Sequence, residues 1–201
     1  MTPSKTADVV SPPPIAPRLA RPRRAGGRIA LVRAVAALLW AVALVVAIGG
    51  DSFTTSSGVP TAVAALLSAY PLIDLVASLV ESAAGSDRSA AVLRIDAALS
   101  GVAVAGLAAA AFAGDAGATL AVFGAWAFVS GAIQLGVALS RRRGATRQWP
   151  MIVSGALSTV AGLAFAASAS GDSAGLGGLA GYAAFGAVLY LVWVARAGRR
   201  G

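Results

Sequence analysis

The sequence predicts an all-α integral membrane protein: six transmembrane helices arranged as three repeated antiparallel helix hairpins. Three observations predict it. The 201-residue chain is 58% hydrophobic and only 12% charged, where soluble domains carry about 25% charged residues. Its apolar residues fall in six stretches, each near the ~20 residues that a helix needs to cross a ~30 Å hydrocarbon core. Its cations cluster at the first end, the last end and every second joint between those stretches.

Residues 1–27 read as a separate, disordered cytoplasmic tail. The run Ser11-Pro12-Pro13-Pro14-Ile15-Ala16-Pro17 cannot continue a helix, because proline lacks the amide donor and restricts its predecessor. The basic cluster Arg18, Arg21, Arg23, Arg24 and Arg28 follows and is a candidate contact for anionic lipid head groups. The membrane domain spans 28–197, with helices at about 29–48, 59–80, 90–113, 117–140, 149–169 and 176–196, and 198–201 is a basic cytoplasmic end. The first stretch follows a basic region, as a signal peptide does. Its apolar core of about 20 residues exceeds the 7–15 of such a segment, so it reads as a spanning helix. Turn chemistry marks the joints Gly49-Gly50-Asp51, Gly114-Asp115-Ala116-Gly117 and Gly171-Asp172-Ser173.

Orientation follows from the 16 Lys and Arg. Lys5 to Arg33 lie at the first end. Arg88 and Arg94 flank the second-to-third joint. Arg141, Arg142, Arg143 and Arg147 fill the fourth-to-fifth, and Arg196, Arg199 and Arg200 close the chain. The other three joints carry none, which places both termini in the cytoplasm of a plasma (inner) membrane protein. The net charge of +8 is therefore a topology signal, and nucleic acid is not an expected partner.

The hairpins repeat. Ala69-Tyr70, Ala125-Trp126 and Gly181-Tyr182 recur every 56 residues. Positions four and eight residues on share a helix face, giving Tyr70/Asp74/Ser78, Trp126/Ser130/Gln134 and Tyr182/Gly186/Tyr190. Asp96-Ala97-Ala98-Leu99-Ser100 aligns with Ser154-Gly155-Ala156-Leu157-Ser158. Repeats that cannot bury their own interface stack on their copies, and a pseudo-threefold bundle is the simplest result. Gly124, Gly131, Gly136, Gly155, Gly162, Gly177, Gly181 and Gly186 read as surfaces for close helix packing. Similar faces on outer helices permit a homo-oligomer.

Two acids fall inside spans, Asp74 and Asp96. Such residues are costly and mark a candidate site. With Tyr70, Ser78, Ser100, Ser130 and Gln134 they form a candidate intramembrane polar site, with Arg33 and Arg94 as charge partners. One reading makes it a proton-carrying site of a small transporter or channel. The other makes it a clamp that holds the hairpins together. Tyr70, Trp126 and Tyr182 read as core packing. Asp51, Asp115 and Asp172 read as hairpin turn residues, with a gathered cation or pH-sensing site as the alternative. The chain has no His and no Cys. That excludes imidazole or thiolate metal sites, cysteine nucleophiles, Ser-His-Asp triads and disulfides. No phosphate-cradling motif is present. No catalysis, metal or cofactor is expected.

The block Trp126-Ala127-Phe128-Val129-Ser130-Gly131-Ala132-Ile133-Gln134-Leu135, the basic Arg141-Arg142-Arg143, and Trp149-Pro150-Met151-Ile152-Val153-Ser154-Gly155-Ala156-Leu157-Ser158 with Gly162 together resemble the HdeD-like family of acid-resistance membrane proteins. The resemblance covers 29–196 in architecture and is specific over 120–165. It implies six spans and a role in acid or general stress survival. Three features depart from the family pattern: Asp74 where the second repeat has Ser130, no internal glycine in 29–48, and the Pro/Arg tail. The alternative functions are the small transporter or channel, and a membrane scaffold acting through the basic tail.

Overall fold

The structure, a computed structural model, describes residues 23–49, 53–54, 58–84, 87–141, 149–171 and 173–198. The proline run, Arg18, Arg21, Asp51, Arg142, Arg143, Arg147, Asp172, Arg199 and Arg200 lie outside the described residues. In chain order the elements are α1 (Arg23–Ile48), β1 (Phe53–Thr54), α2 (Thr61–Ala84), α3 (Asp87–Phe112), α4 (Ala116–Arg141), α5 (Trp149–Ser168), β2 (Ser173–Ala174) and α6 (Gly177–Gly198).

Helix α1 begins at Arg23, inside the segment expected to be tail, so Arg23, Arg24 and Arg28 belong to its first turns. Pro22 is the last proline of the tail, and arginine and alanine are good helix formers. Helix α2 likewise runs past residue 80 through Glu81 to Ala84, and α3 starts at Asp87, an acid well placed against the helix dipole. The expectation of a purely helical chain needs one amendment. β1 and β2, in the first and last outer joints, pair antiparallel with Phe53 opposite Ala174 and Thr54 opposite Ser173.

Asp115 is not simply a turn residue. It follows Gly114, whose φ of +69° ends α3 in the left-handed region, and its Oδ1 accepts the Ala118 amide at 2.8 Å. That is an N-cap of α4. Asp115→Ala is expected to lower stability by about 1 kcal/mol, read as a shift in the thermal unfolding midpoint of the detergent-solubilised protein.

Among the described residues five helices, α1 to α5, are long and apolar enough to cross a membrane, which marks the chain as a membrane protein. In α6 the described apolar stretch is Gly177–Leu189. Their outer faces carry large exposed side chains, including Val46 at 75% and Val102 at 71%. A water-soluble fold would bury such groups.

The helices contact one another in a cyclic order. The most extensive contacts are α4 with α5, α2 with α3 and α1 with α6; α1–α2, α3–α4 and α5–α6 touch less. The close pairs are thus formed across the basic joints and across the chain ends, not within the expected hairpins. Glycine explains the α4–α5 case. A Cβ on Gly124 would lie 2.7 Å from the Gly162 carbonyl oxygen, and one on Gly131 would lie 3.0 Å from that of Gly155. The two seven-residue glycine pairs face each other in antiparallel register, so the backbones themselves are in contact.

Candidate functional site

An aromatic layer crosses the middle of the bundle. Phe123, fully buried on α4, packs edge-on against Trp126 at 5.3 Å and Tyr182 at 6.3 Å, and stacks on Trp40 at 6.3 Å. Tyr70 lies 4.5 Å from Trp40 and 5.7 Å from Trp126 between ring centroids. Tyr70, Trp126 and Tyr182, the three residues at the 56-residue spacing, are therefore all in this core. Trp40 and Phe123 were not singled out from sequence; Trp40 is the one aromatic residue of α1. Pro71 sits in the same layer inside α2. Proline supplies no amide and crowds the preceding turn, and there the Trp40 indole Nε1 donates to the carbonyl of Leu66.

One helical turn from this layer, toward the basic joints, lies the polar network. Arg33 of α1 forms an ion pair with Asp74 of α2. Its other terminal nitrogen is 3.6 Å from Glu81, two turns further along the same face of α2. The second oxygen of Asp74 accepts Ser100 Oγ of α3 at 2.9 Å, and Ser100 Oγ in turn accepts the Trp126 indole at 3.0 Å. Asp96 of α3 accepts Ser78 Oγ of α2 at 3.0 Å on one oxygen and Ser130 Oγ of α4 at 2.9 Å on the other. Four helices are linked by three carboxylates, three serines and one guanidinium. Among the described residues no buried side-chain polar atom lacks a partner, as low-dielectric surroundings require.

The structure thus gathers Asp74, Ser78, Asp96, Ser100 and Ser130 into one network, with Tyr70 in the aromatic layer beside it. Gln134 donates to the backbone carbonyl of Met151 at 3.3 Å, tying α4 to α5. Of the two expected charge partners, Arg33 pairs with Asp74, while Arg94 is exposed on α3. Arg94 precedes Asp96 by two positions, which puts it on the far side of α3. Glu81 was missed by sequence reasoning, although its place seven residues after Asp74 put both on one helix face. Side chains of Arg23, Arg24, Arg28 and Tyr190 lie outside the described residues.

A cavity of about 80 Å³ adjoins the network. Arg33, Asp74, Ser130, Gln134, Ser154 and Ser158 supply its polar wall, and Tyr70, Trp126 and Tyr182 bound it on the aromatic side. Gly186, in register with Asp74 and Ser130, also lines it.

No curated protein and no solved structure matches the chain. Residues 100–167, from Ser100 in α3 through α4 to Ala167 in α5, match the model of a family described as a short repeat of unknown function (DUF308).

Proposed function

We propose that this is a non-enzymatic, six-span plasma (inner) membrane protein with cytoplasmic termini, built from three repeated hairpins, that serves acid or general stress resistance. The observation that carries the reading is the internally satisfied charged network on long apolar helices: it has the form of a clamp that joins helices inside the bilayer. The short-repeat match over 100–167 supports the resemblance to HdeD-like proteins, because it falls on the same helices as the resembling block. The repeat is supported by a recurring contact. Trp126 bonds Ser100 at 3.0 Å between α4 and α3, and Tyr182 bonds Ser158 at 2.8 Å between α6 and α5, at aligned positions of two hairpins. The cyclic helix order supports the pseudo-threefold arrangement. Anionic head groups at the basic face are the proposed lipid partners.

A second reading, a small proton-coupled transporter or channel, is favoured by the cavity that reaches Asp74. Survival at low external pH separates the two. Wild type is expected to rescue a deletion strain. Under the clamp reading Asp74→Asn rescues equally when it accumulates equally in the membrane; under the transporter reading it accumulates but fails to rescue. The R33M/D74N double variant, which removes both charges together, serves where Asp74→Asn accumulates poorly. Absence of any acid phenotype in the deletion strain would remove the acid-resistance reading altogether.

A further inference from the structure

Three properties of the cavity point to its occupant. Its size gives room for several waters, since one needs on the order of 10–15 Å³. Its wall offers hydroxyls, a side-chain amide and an ion pair, so a water there finds the two to four polar partners that hold it. Its two ends differ. On one side it meets the rings of Tyr70, Trp126 and Tyr182, backed by fully buried Phe123. On the other it runs to Arg33, whose side chain keeps 18% of its exposure, and Arg33 reaches on to Glu81, at 29%. The wall holds one cation and one anion already paired, so nothing in it favours an ion of either sign.

We propose that this cavity is a one-sided aqueous vestibule: water and solutes of similar size enter it from the basic end, reach Asp74, and stop at the aromatic layer. Asp96 is not part of the wall. It stands behind Ser130, which lines the vestibule and donates to Asp96 at 2.9 Å. The vestibule therefore makes Asp74 the carboxyl that its wall presents, with Asp96 set behind Ser130. Access from one side also explains how Arg33 and Asp74 keep part of their hydration while set among apolar helices, which lowers the cost of charge there. The inference rests on the six-span reading above.

The chain has no cysteine, so a single substitution gives a single thiol. The probe is silver ion, water-sized and thiol-reactive, added to sealed right-side-out and inverted membrane vesicles. Protection of the thiol from later alkylation is the readout. Ser140→Cys, exposed at the end of α4, marks the basic side; Ser170→Cys, exposed beyond α5, marks the opposite side. Ser154→Cys and Ser158→Cys, two small changes in the wall, are both expected to react from the Ser140 side only. Ser100→Cys, fully buried and outside the wall, is expected to react from neither. Failure of both wall variants to react, where Ser140→Cys does, would show a dry cavity and overturn the proposal. Reaction of both from either side would show a through-pore and overturn it as well. Markers that react from the same side would overturn it by removing the six-span reading on which it stands.

Discussion

Gly162→Ala is expected to abolish the native contact between α4 and α5 and, with it, most of the folded protein. A Cβ at 162 would sit 2.6 Å from the Gly124 carbonyl oxygen and closer still to the Phe128 amide. Both obstacles are backbone. No rotamer change relieves them, so the helices must separate along their length. Ordinary overpacking costs about 1–3 kcal/mol because neighbouring side chains shift; this substitution is expected at or above the top of that range. The loss is compounded in lipid, where apolar surface gains nothing by leaving one apolar phase for another, and close backbone packing is the attraction itself. Gly136→Ala is the matched control. A Cβ there meets nothing within 4 Å, and alanine is favoured over glycine inside a helix by up to about 1 kcal/mol. Fluorescence-detected size-exclusion of the detergent-solubilised proteins reads the difference: a collapsed monodisperse peak for Gly162→Ala, and a peak equal to wild type or more heat-resistant for Gly136→Ala. Equal behaviour of the two variants would show that α4 and α5 are not in backbone contact.

That interface also shows what the sequence discloses and what it withholds. The helices were legible because each had to fill a bilayer with apolar residues, a demand that leaves a twenty-residue signature. Their ends were less so. Arg23, Arg24 and Glu81 are polar, and polarity was read as the end of a helix when it marks only the end of an apolar stretch. The spacing of Gly124 with Gly131 and of Gly155 with Gly162 announced a packing face without naming its partner. Neighbours in sequence suggested the hairpins as the close pairs; the absence of side chains at those four positions instead draws α4 to α5 across the basic joint. In the site, the four-residue spacing of Tyr70, Asp74 and Ser78 put the right groups on one face, and the aligned Asp96 and Ser100 supplied the facing helix. Which hydroxyl serves which carboxylate depends on the rotation of α3 against α2 and α4, a property of packing that no single helix encodes. Trp40 and Phe123 escaped notice for a related reason: they lie outside the repeated register, yet they fill the centre where the repeated aromatics converge.

The second large effect is expected at the ion pair, and it is non-additive. Arg33→Met leaves Asp74 with the Ser100 hydroxyl and without its guanidinium. Asp74→Asn leaves Arg33 facing Glu81 at the longer 3.6 Å separation. Arg33→Met strands the Asp74 carboxylate among apolar helices, a cost on the order of 3–5 kcal/mol for a buried pair that loses one member, while Asp74→Asn leaves Arg33 only the longer contact with Glu81. The double variant R33M/D74N removes both members of the pair together, and the Glu81 that loses Arg33 is the more exposed acid, at 29%. Methionine fills the space of the arginine stem, and the asparagine carbonyl still accepts from Ser100. Replacing both members of a buried pair is often close to neutral, so the double variant is expected to be more stable than either single one. Thermal unfolding of the four proteins in one detergent closes the cycle. A double variant that sums the two single losses would show that Arg33 and Asp74 act independently. Recovery in the double variant would assign the pair its physical role: each charge is tolerated on these helices because the other is there.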